Sequence, residues 1–423
     1  MPGAKAVPGI PGRLPSTCEQ QGQEMTSANA LIKSPGVRVR CEHFGALAWQ
    51  TSPRRIYRLD AAAAAALLLH EQPRPEDEQA PPVAELGITG QAWHQAVAGL
   101  RGQNLLVPVQ AAPAGITAED VRAARHVLDS DTPRCAVLKP LWVHIQPFTR
   151  CNQHCIHCYC HGGPKADPFL LPVGTWLGII SQLDDYGVFD VYVTGGESLL
   201  YDGFFTIAEE ILSRGMGFGV STNATILPER TLAQLRDLRI GTVQVSLDGA
   251  RAAVHEHIRG APGSFARTLE GITRIAAFSE PVINAVVSRL NLAELEDVVK
   301  LGRERGCGRF KFFPQKPAGR SGRELTLSDE EIMGQLIPEC ARLAAAHDVE
   351  IETIDPGRPC GSGSIGFALD QRADIYPCIF GVANATQRCG NILSDDLSEV
   401  WFGSPVLQRF RGNAQTPCRR CER

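Results

Sequence analysis

Residues 151–158 read Cys-Asn-Gln-His-Cys-Ile-His-Cys, a C-x3-C-x2-C spacing carried by Cys151, Cys155 and Cys158. The stretch follows an apolar, strand-like run, Trp142-Val-His-Ile-Gln-Pro147. Three thiolates so close together can hold three corners of a cubane iron–sulfur cluster. A four-iron cluster with three protein ligands keeps one iron open, and an open iron can chelate a small molecule. The competing reading is a structural zinc site: zinc takes the same soft ligands, and His154, His157 and His161 stand beside the cysteines. The motif alone leaves both open, so the flanking sequence has to decide.

Downstream, strands and helices alternate. Trp142–Gln146, Val191–Thr194, Phe218–Ser221, Thr242–Leu247, Val282–Val287 and Phe310–Phe313 read as strands. Val173–Tyr186, Gly203–Arg214, Leu232–Leu238, Phe265–Phe278 and Leu292–Arg305 carry a helical period between them. Repeated β–loop–α units mean a parallel sheet with right-handed crossovers. Six such units predict an α/β fold, a partial (β/α)6 barrel. In parallel barrels the reactive groups gather at the C-terminal ends of the strands. The cysteines follow the first strand, Thr194-Gly-Gly-Glu-Ser198 the second, Ser221-Thr-Asn223 the third and Ser246-Leu-Asp-Gly249 the fourth. Any one of these is weak evidence, since a glycine pair is more often only a turn. Four in register with the strands make a site.

The chain has 423 residues, enough for two or three cores. Its formal charge of −4 is dispersed; no basic stripe suggests nucleic acid, and no apolar run is long enough for a membrane span. The longest, Ala61–Leu69, reads as a buried helix capped by Asp60. Residues 1–30 form the expected disordered tail, with Met1–Ser27 rich in Pro, Gly and Gln and lacking a hydrophobic signal core. Fourteen cysteines without such a signal point to metal binding in a reducing cytoplasm. Residues 31–110 read as a small α+β module of winged-helix type. Its strands are Val37–Cys41, Leu47–Trp49 and Arg55–Leu59, followed by a helix, a Pro-rich loop (Gln72–Pro82) and a second helix, Gln91–Leu100, that leads into Leu105-Leu-Val107. Residues 111–140 are the expected linker, 141–320 the barrel and 321–355 a bridging helical segment. Residues 356–423 are Gly- and Cys-rich with weak periodicity, and are expected to depend on bound metal in place of a core of their own.

Over about residues 141–320 the chain resembles the radical S-adenosylmethionine (radical SAM) enzymes. The resemblance implies a [4Fe–4S] cluster on Cys151, Cys155 and Cys158, with S-adenosylmethionine chelated at the open iron. Gly195, Gly196 and Glu197 then face the methionine amino group; glycines allow close backbone approach and a carboxylate pairs with an ammonium. Ser221 and Asn223 resemble positions at the methionine carboxylate or ribose, and Ser246 and Asp248 positions near the ribose hydroxyls. Arg259 suits a carboxylate, although a surface arginine explains it equally well. One departure concerns adenine: the residue before the third cysteine is usually aromatic, whereas here it is His157, with Tyr159 just after. The implied chemistry is reductive cleavage of the cofactor to a 5′-deoxyadenosyl radical that abstracts hydrogen from an unactivated C–H. It needs a flavodoxin- or ferredoxin-type electron donor.

Cys360, Cys378, Cys418 and Cys421 form a C-x17-C … C-x2-C pattern resembling the "twitch" version of the SPASM appendage, which implies one auxiliary [4Fe–4S] cluster with four protein ligands. A zinc knuckle is the alternative. Asn391–Trp401 resembles the linking segment of those domains, and Cys389 reads as a bystander thiol before a spare or residual auxiliary ligand. The front block, through Ser34-Pro-Gly-Val-Arg38, Ile56-Tyr-Arg-Leu-Asp60 and Leu100–Val107, resembles the peptide-recognition element of ribosomal-peptide (RiPP) maturases. That implies a leader peptide held as an added strand on a sheet edge. The combined expectation is a cytoplasmic enzyme of the sactionine-synthase type that crosslinks a precursor peptide by thioether or carbon–carbon bonds. A dehydrogenase of a small alcohol or aminocyclitol, or a non-catalytic peptide-binding scaffold, are the alternatives.

Overall fold

The computed structural model describes residues 30–35, 37–42, 45–51, 54–70, 74–75, 88–109, 139–240, 242–354 and 361–412. The expected tail, most of the Pro-rich loop, nearly all of the linker, and Cys360, Cys418 and Cys421 lie outside these residues.

The front block contains β1 (Ala30–Lys33), β2 (Val37–Glu42), β3 (Gly45–Thr51), β4 (Arg54–Leu59), α1 (Ala61–Leu69), β5 (Arg74–Pro75), α2 (Gly90–Gly102) and β6 (Leu106–Val109). They make two three-stranded antiparallel sheets, β5-β1-β6 and β2-β3-β4. The sequence reading had no strand at β1 or β5. The Asp60 carboxylate accepts from the Ala63 amide at 2.8 Å, so α1 starts where its cap is. Alternation along β3 gives it two jobs. Ala46 and Ala48 face the module's own core with Ala64–Leu67 of α1, whereas Leu47 and Trp49 belong to the core of the barrel. The Trp49 ring stacks on Phe189 with centroids 6.4 Å apart, and Arg38 pairs with Asp184 at 2.6 Å. A Cβ on Gly217 would stand 2.6 Å from the Trp49 ring, so the absence of a side chain there admits the indole.

The barrel strands are β7 (Trp142–Ile145), β8 (Asp190–Val193), β9 (Gly217–Thr222), β10 (Thr242–Ser246), β11 (Pro281–Val287), β12 (Arg309–Pro314) and β13 (Glu350–Glu352). All pair in parallel, in the order β13-β12-β11-β10-β9-β8-β7. The six expected strands are β7–β12, each displaced by at most one residue at either end. Val143, Ile145, Val191, Val193, Val243, Val245, Ile283 and Phe312 are buried on one face of the sheet and alternate largely with half-buried residues on the other. Helices α3 (Val173–Tyr186), α4 (Phe204–Ser213), α5 (Glu229–Asp237), α6 (Ala252–Arg259), α7 (Ser264–Ala276) and α8 (Leu295–Arg303) cover the sheet. Because Phe189, Asp190 and Gly217 lie at the N-terminal ends of β8 and β9, the front module sits at the end of the barrel opposite the cysteine loop.

Two features depart from expectation. The bridging segment is helical over 329–347 but ends in β13, which pairs with β12 as a seventh parallel strand. The C-terminal block does not stand apart. β14 (Gly366–Leu369) pairs in parallel with β7, Gly366 opposite Trp142, and β15 (Asp374–Tyr376) and β16 (Gly390–Asn391) continue the sheet antiparallel. Phe367, Leu369, Ile375, Trp401 and Leu407 join the barrel's core. The block needs no core of its own because it extends one.

Candidate cluster and cofactor site

One cavity opens at the C-terminal ends of β7–β11. Cys151, Cys155, Cys158, Tyr159, Gly195, Gly196, Glu197, Ser221, Asn223, Ser246 and Arg259 all line it. The expected residues from four loops therefore converge on a single space.

Its shape begins with the cysteine loop, which three neighbouring segments hold. Gly196 and Glu197 donate backbone N–H groups to the carbonyls of Phe148 (3.1 Å) and Arg150 (3.0 Å). Cβ atoms on Gly195, whose φ is +140°, and on Gly196 would collide with those same carbonyls. The glycine pair is thus required by the closeness of two loops, whatever else it touches. On another side, His154 and Ile156 donate to the carbonyls of Arg259 (3.2 Å) and Ile258 (3.0 Å), and a Cβ on Gly260 would meet the His154 carbonyl. On a third, the Arg320 backbone donates to Cys158 O at 2.9 Å, its Nε to Cys155 O at 3.0 Å and its Nη2 to Gly162 O at 2.6 Å. No sequence signal pointed to Arg320.

Each of the three sulfurs receives a donor. The Gln153 amide donates to Cys151 Sγ at 3.4 Å, the Gly162 amide to Cys158 Sγ at 3.2 Å, and Arg259 Nη1 to Cys155 Sγ at 3.8 Å. A fourth thiol, Cys160, lies 3.7 Å from Cys158 and donates to the Gly195 carbonyl at 3.6 Å. Burial pushes the Cys151 thiol up to about 12 and raises that of Cys155, whereas the contact with Cys160 brings Cys158 down to about 5. Iron binding displaces such protons. Among the described residues, no three His, Cys, Asp or Glu side chains converge closely enough to grip a single ion. The three cysteines border an open space, and their N–H donors are of the kind that stabilise cluster thiolates.

The rest of the cavity suits the polar groups of S-adenosylmethionine. Glu197 is buried and accepts from Thr222 Oγ1 (2.5 Å), the Asn223 amide (2.7 Å) and the Leu199 amide (3.3 Å). Burial raises its carboxyl above the ordinary value, against those hydrogen bonds. Arg259 is buried, and its Nε has no partner among the described residues. Asp248 is fully buried and is not among the cavity-lining residues. Its Oδ1 accepts from the Val286 amide (2.9 Å) and its Oδ2 from His157 (2.8 Å) and Arg259 Nη2 (2.7 Å). Burial alone would raise Asp248, but Arg259 and His157 outweigh it and hold the carboxyl below the usual carboxylate range. The geometry makes Asp248 the holder of two cavity residues, His157 and Arg259. His157 is correspondingly tied to Asp248, while Tyr159 bonds Thr194 Oγ1 at 3.1 Å and meets Phe380 edge-on.

Phe380, from the C-terminal block, lines this cavity and also a second one that Cys378 borders with Pro317, Ala318, Gly319 and Gln387. Gln153, Lys316 and Phe380 line the first cavity without having been anticipated. Lys316 is distant in sequence from every motif, Phe380 follows Cys378 by two residues without being part of its pattern, and Gln153 sits inside a motif at a position with no obvious chemistry. Cys389 is half-buried against the barrel core and donates to the Gln387 carbonyl at 3.4 Å.

The radical SAM superfamily model matches residues 145–302, and an iron–sulfur cluster-binding domain, SPASM, matches residues 360–422. Over those residues the chain carries a radical SAM domain and a SPASM-type iron–sulfur domain, and the cofactors of the enzyme are S-adenosylmethionine and two iron–sulfur clusters. Among similar proteins, the mycofactocin maturase MftC of Mycobacterium ulcerans is 28% identical over 285 residues, covering 62% of this chain and 74% of that one. The PqqA peptide cyclase of Gluconobacter oxydans is 25% identical over 287 residues, covering 65% and 80%. SuiB of Streptococcus suis, solved with its precursor peptide SuiA, superposes with a TM-score of 0.69 at 17% identity, over 90% of both chains.

Proposed function

We propose that this enzyme is a peptide maturase that oxidatively crosslinks a ribosomally made precursor. The observation that carries the reading is a strand-rich front module packed onto a radical SAM barrel, in a chain whose relatives are named as a maturase and a peptide cyclase. Among the described residues β2 and β4 are the outer strands of their sheet, and either edge offers main-chain groups to an extended leader. The core of the peptide enters the cavity at the other end of the barrel. The bound cluster and S-adenosylmethionine supply hydrogen-abstracting chemistry. Cys151, Cys155 and Cys158 hold the first cluster. Glu197 receives the methionine amino group, and Arg259, held by Asp248, presents its unpaired Nε to the carboxylate. Cys360, Cys378, Cys418 and Cys421 hold the auxiliary cluster, and a flavodoxin- or ferredoxin-type protein in the cytoplasm delivers the electrons. The product bond is a thioether or a carbon–carbon link.

The test incubates the anaerobically reconstituted enzyme with S-adenosylmethionine, a reductant and the peptide encoded by a short reading frame beside the gene. Formation of 5′-deoxyadenosine together with loss of two hydrogens per crosslink is expected. An unchanged peptide, with oxidation of a small alcohol or aminocyclitol instead, would overturn the proposal.

A further inference from the structure

Gln153 stands between the first two cysteines and is 2% exposed. Its backbone amide already serves Cys151. Its side chain lines the cavity, with Oε1 accepting from the Cys155 S–H at 3.9 Å and Nε2 left without a partner among the described residues. A buried N–H donor without an acceptor is costly, and native structures rarely keep one. The arrangement makes sense only while Cys155 carries its proton. As an iron ligand Cys155 is a thiolate, and Oε1 then faces a sulfur with nothing to donate. Turning the terminal amide by half a revolution exchanges oxygen and nitrogen within the same space, since the last torsion of Gln is broad and two-fold. Nε2–H then points at the sulfur, and what remains unpaired is a carbonyl oxygen, the less costly group to leave so.

We infer that Gln153 donates its side-chain N–H to the Cys155 sulfur of the loaded cluster and so favours the reduced cluster. The inference rests on the assignment of a cluster to Cys151, Cys155 and Cys158, and iron content separates failure of that assignment from failure of this one. Reduction adds negative charge to the cluster, and a hydrogen bond to its sulfur stabilises the more negative state. Gln153 is here a tuning residue, with no bond made or broken on it. Arg259 Nη1 serves the same sulfur from the other side, so the effect of Gln153 is one increment among several.

The experiment uses full-length, anaerobically reconstituted enzyme. Gln153→Leu keeps the volume but removes the donor, and Gln153→Glu replaces the donor with an acceptor. The ratio of reduced to oxidised cluster at a fixed applied potential is read from the EPR signal that S-adenosylmethionine perturbs. With iron content equal to wild type, that ratio falls about threefold in Gln153→Leu, since the bond is made in both oxidation states and only its strengthening on reduction counts, and it falls further in Gln153→Glu. An unchanged ratio at full iron content overturns the inference. Should either variant fail to load, wild-type protein labelled with ¹⁵N in its glutamine side chains decides. A ¹⁵N hyperfine coupling to the reduced cluster that is absent from unlabelled protein supports the assignment, and its absence from the labelled protein refutes it.

Discussion

Replacing Gly196 by Ala would drive a methyl group into the Arg150 carbonyl, and backbone on both sides leaves nothing to swing away. The expected cost is about 2–4 kcal/mol, together with lower iron retention, because the displaced loop carries the cysteines. Gly178 is the control. It is exposed in the middle of α3 with nothing within 4 Å of a built Cβ, so Gly178→Ala should stabilise by roughly 0.5–1 kcal/mol. Urea denaturation of both variants checks the contrast, and equal effects would contradict it. Cys160 yields a second expectation. With its sulfur 3.7 Å from that of Cys158, it can stand in as a ligand, so Cys158→Ala should retain more iron than Cys155→Ala. Equal losses would show that Cys160 does not reach the cluster. His255 sets a pH dependence. Burial, helped by the charge of Arg259, pushes its imidazole down to about 4. The unfolded chain therefore takes up this proton first, and stability falls as pH drops from about 6.5 towards 4, by roughly 2–3 kcal/mol at most near pH 4.5. Above pH 6.5 the contribution is constant. His255→Gln should flatten that part of the curve, and a parallel curve would rule His255 out as its source. At this scale the sequence announced the groups with chemistry of their own, because cysteines, a glycine pair and a carboxylate at fixed spacing after strands leave few readings. It was silent on Arg320 and Phe380, whose importance comes entirely from where the chain returns.

Between elements, the contact that matters most is that of β3 with the underside of the barrel. Trp49 is 3% exposed and stacked on Phe189, so Trp49→Ala should cost about 3–5 kcal/mol. Hydrogen exchange should locate the damage: amides of β2–β4 should lose protection while those of β9–β11 keep theirs. Protection lost evenly would mean that module and barrel unfold as one cooperative unit. The same contact complicates deletion of the front block, which would uncover Phe189 and leave Asp184 without Arg38. Substitutions on the edge strands are therefore the cleaner probe of leader binding. The barrel strands were legible because short, β-branched and aromatic runs with period-two alternation, spaced between helical periods, admit few other structures. β13 and β14 were not. Glu350–Glu352 is too short and too charged to read as a strand, and Gly366–Leu369 becomes one by finding Trp142–Ile145 more than two hundred residues earlier. Partners at that separation leave no local periodicity to read.

For the molecule as a whole, the expected iron content is about eight per chain, falling to about four when Cys151, Cys155 and Cys158 are all replaced by Ala. A wild-type value near four would refute two four-iron clusters. If Cys378 is a ligand of the auxiliary cluster, as proposed, Cys378→Ala should be felt beyond its own cavity, because the next turn, Ile379–Ala383, carries Phe380 to the first one. The C-terminal block looks detachable in sequence, a cysteine-rich cassette behind a barrel. Yet β14 lies in register against β7, and one of its neighbours' aromatic rings closes a wall of the first cavity. A lineage of such enzymes could not acquire a new tail by recombination alone. Each graft would have to bring a strand that fits Trp142 and a ring that fits Tyr159, so tail and barrel are bound to change together.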